Sequence, residues 1–234
     1  MVASFSTGHG TRAARIVSSI VFLVALLVTR SANADDSSLS PARMQATAHR
    51  YYDDEMTVSY LFGGFGAVTA GGGAVALTQS GDFAHGFGFS SLVLGSLTVL
   101  GAVGYGVAVK IRGDYYGGLA DTDLARYQRE ESEHIAGTTS RFWLYLGFEL
   151  AETLAGAGIA TYGFAAKNDF AKGVGIGVAT QGIGLFVIDV PGSIRAKRYQ
   201  DDVTHFTPAR SGATAGFSLG GAGQPLGASF AAAF

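Results

Sequence analysis

Four long stretches almost free of charge constrain this chain more than anything else in it. Residues 56–81 and 86–109 hold no charged side chain. Residues 141–166 hold only Glu149 and Glu152 after an opening Arg141, and residues 173–194 hold only Asp189. Each run is close to the roughly 20 apolar residues with which a helix crosses a bilayer. A helix satisfies its own backbone hydrogen bonds, so it is the natural form for such a run in lipid. Short polar segments join the runs in two pairs. The pattern therefore predicts an all-α membrane protein made of two helical hairpins. An outer-membrane β-barrel is the alternative, because Phe87, Phe89, Val93, Leu97 and Val99 share one parity. Against it, Leu92, Leu94 and Leu100 break that parity, and the uncharged runs are too long for single strands.

The two hairpins read as copies of one another. Gly81-Asp82-Phe83-Ala84 faces Asn168-Asp169-Phe170-Ala171 at an offset of 168 − 81 = 87 residues. The same offset relates Gly71 to Gly158, Gly95 to Gly182 and Lys110 to Lys197. A single register shared by a turn motif and flanking residues indicates internal duplication.

Glycine occupies 35 of 234 positions, and the hydrophobic fraction reaches 48% against 15% charged. Helices in lipid associate by close packing of small residues. Gly63, Ala67 and Gly71 stand at four-residue spacing, as do Gly147 and Ala151, and Gly173 and Gly177. These positions are the expected packing ridges, within one bundle or between copies.

The N-terminus reads as an export signal. Arg12 and Arg15 precede an apolar core at 16–28, and Ser31-Ala32-Asn33-Ala34 offers a small-x-small cleavage site. The chain thus divides into a signal peptide (1–34), a linker with a short amphipathic helix (35–55), hairpin one (56–110), a charged connector (111–140), hairpin two (141–199) and a Gly/Ala-rich tail (200–234). On the short helix Met44, Ala48, Tyr51 and Tyr52 fall near one face; within the connector, residues 121–134 predict a solvated or interfacial helix. In the tail, Ala215, Phe217 and Leu219, then Leu226, Ala228 and Phe230, alternate with small residues, which predicts a β-hairpin; the terminal Phe234 resembles an outer-membrane sorting signal. Cleavage after Ala34 would leave the basic residues on the outer side, opposite to the positive-inside rule. Passage to the outer membrane, or a later start at Met44, would each resolve that conflict, so the sequence leaves the choice of membrane open.

Chemistry-bearing residues are few. Glu149 and Glu152 share a helix face, and an antiparallel hairpin brings Asp189 within a turn of Glu149, with Arg141 and Arg195 at the same end. Ionisable groups within a bilayer mark ion paths, proton relays or internal ion pairs. Gln181 lies in mid-span as a cross-helix bonding residue. Glu131-x-x-His134 occurs once, whereas a di-iron bundle needs it twice. Cysteine is absent, the five histidines are scattered, and no Gly-rich loop carries a Lys-Ser/Thr. No catalytic residue, metal site, cofactor, nucleotide or nucleic-acid partner is expected; lipid is, and a homo-oligomer is possible.

The C-terminal part, Gln181…Asp189…Arg195…Arg198-Tyr199 followed by the Gly-rich tail to Phe234, resembles uncharacterised signal-bearing envelope proteins of myxobacteria and relatives. That resemblance implies an envelope location and no activity. The expected function is a non-enzymatic integral membrane protein with a structural or assembly role; a small ion- or proton-coupled transporter or channel is the alternative.

Overall fold

The computed structural model describes residues 39–208 and the backbone of residues 214–217 and 228–231. Four helices fill the first range: α1 Pro41–Leu77, α2 Asp82–Thr122, α3 Leu124–Ala165 and α4 Asp169–His205. Their lengths are 37, 41, 42 and 37 residues. At about 1.5 Å per residue each far exceeds the about 30 Å of a bilayer core. The predicted all-α, membrane-type architecture is what is observed. Residues 86–111, where a barrel strand was the alternative, lie within α2. The signal segment and Phe234 lie outside the described residues. In the tail, β1 Thr214–Phe217 pairs antiparallel with β2 Ala228–Ala231, Thr214 opposite Ala231.

The expected linker helix and connector helix are not separate elements. The first, at residues 41–55, runs unbroken into α1. Ser40 caps it by accepting from the Arg43 N–H at 3.3 Å, and Pro41 occupies the first turn, where its missing N–H costs nothing. The connector is two helix ends meeting at one residue. Asp123 closes α2 and caps α3, its side chain accepting from the Arg126 N–H at 3.0 Å. Polarity alone suggested a break at residues 111–140, but nothing there stops a helix until Asp123. Likewise hairpin two ends at His205, past the expected 199.

Among the described residues three of the four helices, α1, α2 and α4, are long and apolar enough to cross a membrane. In α3, Glu149 and Glu152 dilute the apolar run, though its outer face is still greasy: Trp143 is 80% exposed and Phe148 79%.

The helices pair α1 with α2 and α3 with α4, and α2 faces α4 across the middle. Two halves follow along the bundle axis. Near the hairpin tips the buried positions are mostly glycines, among them Gly66, Gly73, Gly88, Gly95, Gly156, Gly175 and Gly182. Large apolar side chains such as Val68, Leu100 and Phe148 point outward there. That inside-out pattern suits lipid, where only close backbone contact rewards association. At the other end Met44, Tyr51, Tyr52, Tyr127, Ile135, Tyr199 and Val203 form a conventional core. Met44, Ala48, Tyr51 and Tyr52 are all buried, as the face reading of residues 41–55 required.

The two hairpins make matching contacts. A Cβ on Gly86 would overlap the Phe170 carbonyl, and one on Gly173 would overlap that of Phe83. These are the same contact seen twice, since 86 + 87 = 173 and 83 + 87 = 170. The first helices follow a different register. Gly95 packs on Ala70 and the Gly66 carbonyl, and Gly182 on Thr153 and the Glu149 carbonyl. Here 153 − 70 and 149 − 66 both give 83. Gly73 against Leu92 and Gly88, and Gly156 against Ala179 and Gly175, repeat that rule. The second hairpin thus carries four extra residues near its tip, about one helical turn. Gly71 and Gly158, aligned at 87 in the sequence, both face open space.

Candidate functional site

Polar side chains form a ladder through the bundle interior. On its first rung, nearest the tips, Ser90 and Gly177 meet. They stand at the same offset as the tip contacts, since 90 + 87 = 177. The next rung joins Gln181 of α4 to α2: its Nε2 donates to Thr98 Oγ1 at 2.6 Å. Gln181 is 1% exposed, and its Oε1 has no partner among the described residues. The cross-helix role expected for this residue is therefore half fulfilled.

The third rung is Glu149 of α3 and Asp189 of α4, which lie within electrostatic reach of one another. Glu149 is 7% exposed and its Oε2 has no partner among the described residues. Glu152, one turn away, is half-buried. The three expected carboxylates are thus gathered, with Glu152 at the margin.

A fourth rung was not foreseen. Glu55 of α1 is 3% exposed; the Tyr105 hydroxyl of α2 donates to its Oε2, and its Oε1 has no partner among the described residues. Arg195 of α4 lies within electrostatic reach of Glu55 and Tyr105, yet its buried Nε and Nη2 make no hydrogen bond to any described residue. Of the two arginines expected here, only Arg195 belongs. Arg141 is exposed and acts on His134 instead.

Below these lies a tyrosine cage around Glu131. Tyr52 donates to Glu131 Oε1 at 2.9 Å, the Tyr127 and Tyr199 hydroxyls lie 2.7 Å apart, and Tyr51 stacks on Tyr199 with centroids at 3.9 Å. Burial pushes the Glu131 carboxyl up to about 7, while Tyr52, Tyr199 and the Arg112 charge pull it back. His134 turns elsewhere and stacks on Tyr116 at 5.1 Å, its imidazole pushed down by burial and by Arg112 and Arg141. The two halves of Glu131-x-x-His134 therefore serve different partners. No three His, Cys, Asp or Glu side chains among the described residues converge as metal ligands.

Glu55 was missed because residues 41–55 read as a separate helix, which put its charge at an element end. Extending the face of Tyr51 and Tyr52 by one turn reaches Glu55, so the signal was present.

The small-residue ridges divide between two uses. Gly173 lies at the α2–α4 seam, Gly177 packs on Ser90, and Gly63 faces Ala102. Ala67, Gly71, Gly147 and Ala151 are exposed on the outer helices.

The chain matches no family model, no curated protein and no solved structure.

Proposed function

We propose that this chain is a non-enzymatic integral membrane protein of a bacterial cell envelope, with a structural or assembly role exerted through lateral association. The observation that carries the reading is the outward small-residue surface of α1 and α3. Gly64 and Gly147 are equivalents at the first-helix offset (147 − 64 = 83); both are exposed, and a Cβ on either meets nothing within 4 Å. Small residues facing lipid forgo side-chain packing unless another helix approaches them. The interior supports the same reading. Where the helices touch near the tips, glycine Cα atoms already abut neighbouring backbone, which leaves little room for a wide pore. Export rests on the basic, apolar and small-residue order from Arg12 to Ala34.

The test is the mass of the detergent-purified protein by light scattering, with crosslinking in membranes. Wild type is expected above monomer mass, and Gly64→Leu with Gly147→Leu is expected to shift it to monomer while helicity is retained. A monomeric wild type in membranes and detergent alike rules the reading out. Separating inner from outer membranes then settles which bilayer holds it.

A further inference from the structure

The Glu131-x-x-His134 pair, left without a role by lateral association, joins the two hairpins at the tyrosine-rich end. Both residues belong to α3, and their partners belong to the other hairpin. Tyr52 of α1 donates to Glu131 Oε1 at 2.9 Å, and Tyr116 of α2 stacks on the His134 imidazole with centroids 5.1 Å apart. Tyr52 and Tyr116 stack in turn on one another at 6.2 Å, so the two contacts form one unit. A third contact between the hairpins, Tyr51 on Tyr199, lies beside it, and Tyr199 also stands edge-on to Tyr52 at 6.4 Å. The unit bridges helices that are otherwise kept apart: α1 packs on α2 and α4, and α3 mainly on α4.

Glu131 is 0% exposed, and its Oε2 has no hydrogen-bond partner among the described residues. A carboxylate held there has one tyrosine hydroxyl for two desolvated oxygens, whereas a neutral carboxylic acid avoids most of that cost. The titratable and charged groups around it are Tyr51 and Tyr52 on α1, Arg112 and Tyr116 on α2, Tyr127 and His134 on α3, and Tyr199 on α4. Arg112 favours the ionised form, but burial outweighs it and pushes the carboxyl up to about 7. His134 moves the other way, pushed down by burial and by Arg112 and Arg141, so it is already neutral where Glu131 ionises. We propose that Glu131-x-x-His134 is a pH-sensitive clasp: with Glu131 protonated it holds the second hairpin to the first at the tyrosine-rich end, and ionisation of Glu131 lets those ends part while the tips stay together. The tips take no part in the switch, because the seam there is backbone against backbone at Gly86 and Gly173.

The experiment uses the full chain in lipid nanodiscs. It has no cysteine, so paired cysteines carrying nitroxide labels measure the distance between the hairpins. Arg50→Cys with Arg129→Cys, both exposed, spans the tyrosine-rich end, and Gln79→Cys with Ala166→Cys, also exposed, spans the tips. Double electron–electron resonance compares samples at about pH 6 and about pH 8.5, on either side of the Glu131 transition. At the tyrosine-rich end the distance is expected to be short and narrowly distributed at the lower pH, and to lengthen and broaden reversibly at the higher. The tip distance is expected to stay fixed. With Glu131→Gln, which keeps the shape and cannot ionise, the end is expected to stay closed at both pH values. An end distance that ignores pH with Glu131 in place overturns the proposal without any change at the clasp. Opening that persists in Glu131→Gln assigns the switch to another group and overturns it as well. A tip distance that grows together with the end marks general unfolding and refutes a clasp.

Discussion

Glu131 shows how a single buried acid ties this bundle to pH. It is 0% exposed and pushed up to about 7, while its ordinary value is 4.5. Between those values the folded chain holds a proton that the unfolded chain has released. Stability from this group is therefore complete below about pH 4.5 and declines as pH rises through about 7, the reverse of a salt-bridged carboxylate. The full swing is roughly 3 kcal/mol. Melting of the purified protein, followed by circular dichroism at about pH 5 and about pH 8, should show the higher midpoint at the lower pH. Glu131→Gln should flatten that contribution. Tyr52→Phe should steepen it, because the lost hydrogen bond supports the ionised form. A wild-type midpoint that rises over the same window would contradict this account. The exposed ion pairs, Lys110–Asp114 and Lys197–Asp201, should matter far less, since each holds two hydrated, mobile side chains.

At the scale of elements, the hairpins were legible because lipid-crossing helices announce themselves by length and lack of charge. Helix ends were not. Residues 111–140 are polar, and polarity reads as a break, yet a helix needs only a cap to end and Asp123 is the one that serves. The sequence offset of 87 also relates the contacts of α2 to those of α4. It failed for α1 and α3 because an added turn shifts a helix without disturbing its small-residue spacing. That shift is invisible until Gly95 and Gly182 are seen against their neighbours. The reciprocal contact at the tips makes a sharp prediction. Gly86→Leu and Gly173→Leu each drive a side chain into facing backbone, so each should destabilise by at least the about 1–3 kcal/mol usual for overpacking. Melting midpoints should fall by similar amounts in both. Gly64→Leu, in open space, should leave the midpoint of the monomer nearly unmoved.

For the whole molecule, the division into a glycine-packed half and a tyrosine-packed half predicts where the bilayer ends. The chain has no cysteine, so single cysteines report without interference. Introduced at Leu100 or Phe148, which are 69% and 79% exposed, a thiol should resist a water-soluble maleimide in intact membranes and react after detergent is added. At Asp53 or Arg129 it should react at once. Rapid labelling at Phe148 would place α3 outside the lipid. The candidate site was only partly legible at this scale. Glu149, Glu152 and Asp189 stand out against apolar runs, whereas Glu55 and Tyr105 lie among other polar residues. Only the meeting of all four helices shows that they face the same interior.

The one-residue junction at Asp123 has a further consequence. Each hairpin turns on its own tip, and no other covalent link joins the two between Thr122 and Leu124. The seam between them is a repeated backbone contact that each half offers ready-made. Such a chain is in effect two subunits sewn together by a single stitch. Cutting the stitch, by co-expressing the two halves as separate polypeptides, should still give a complex that co-purifies through a tag on either one.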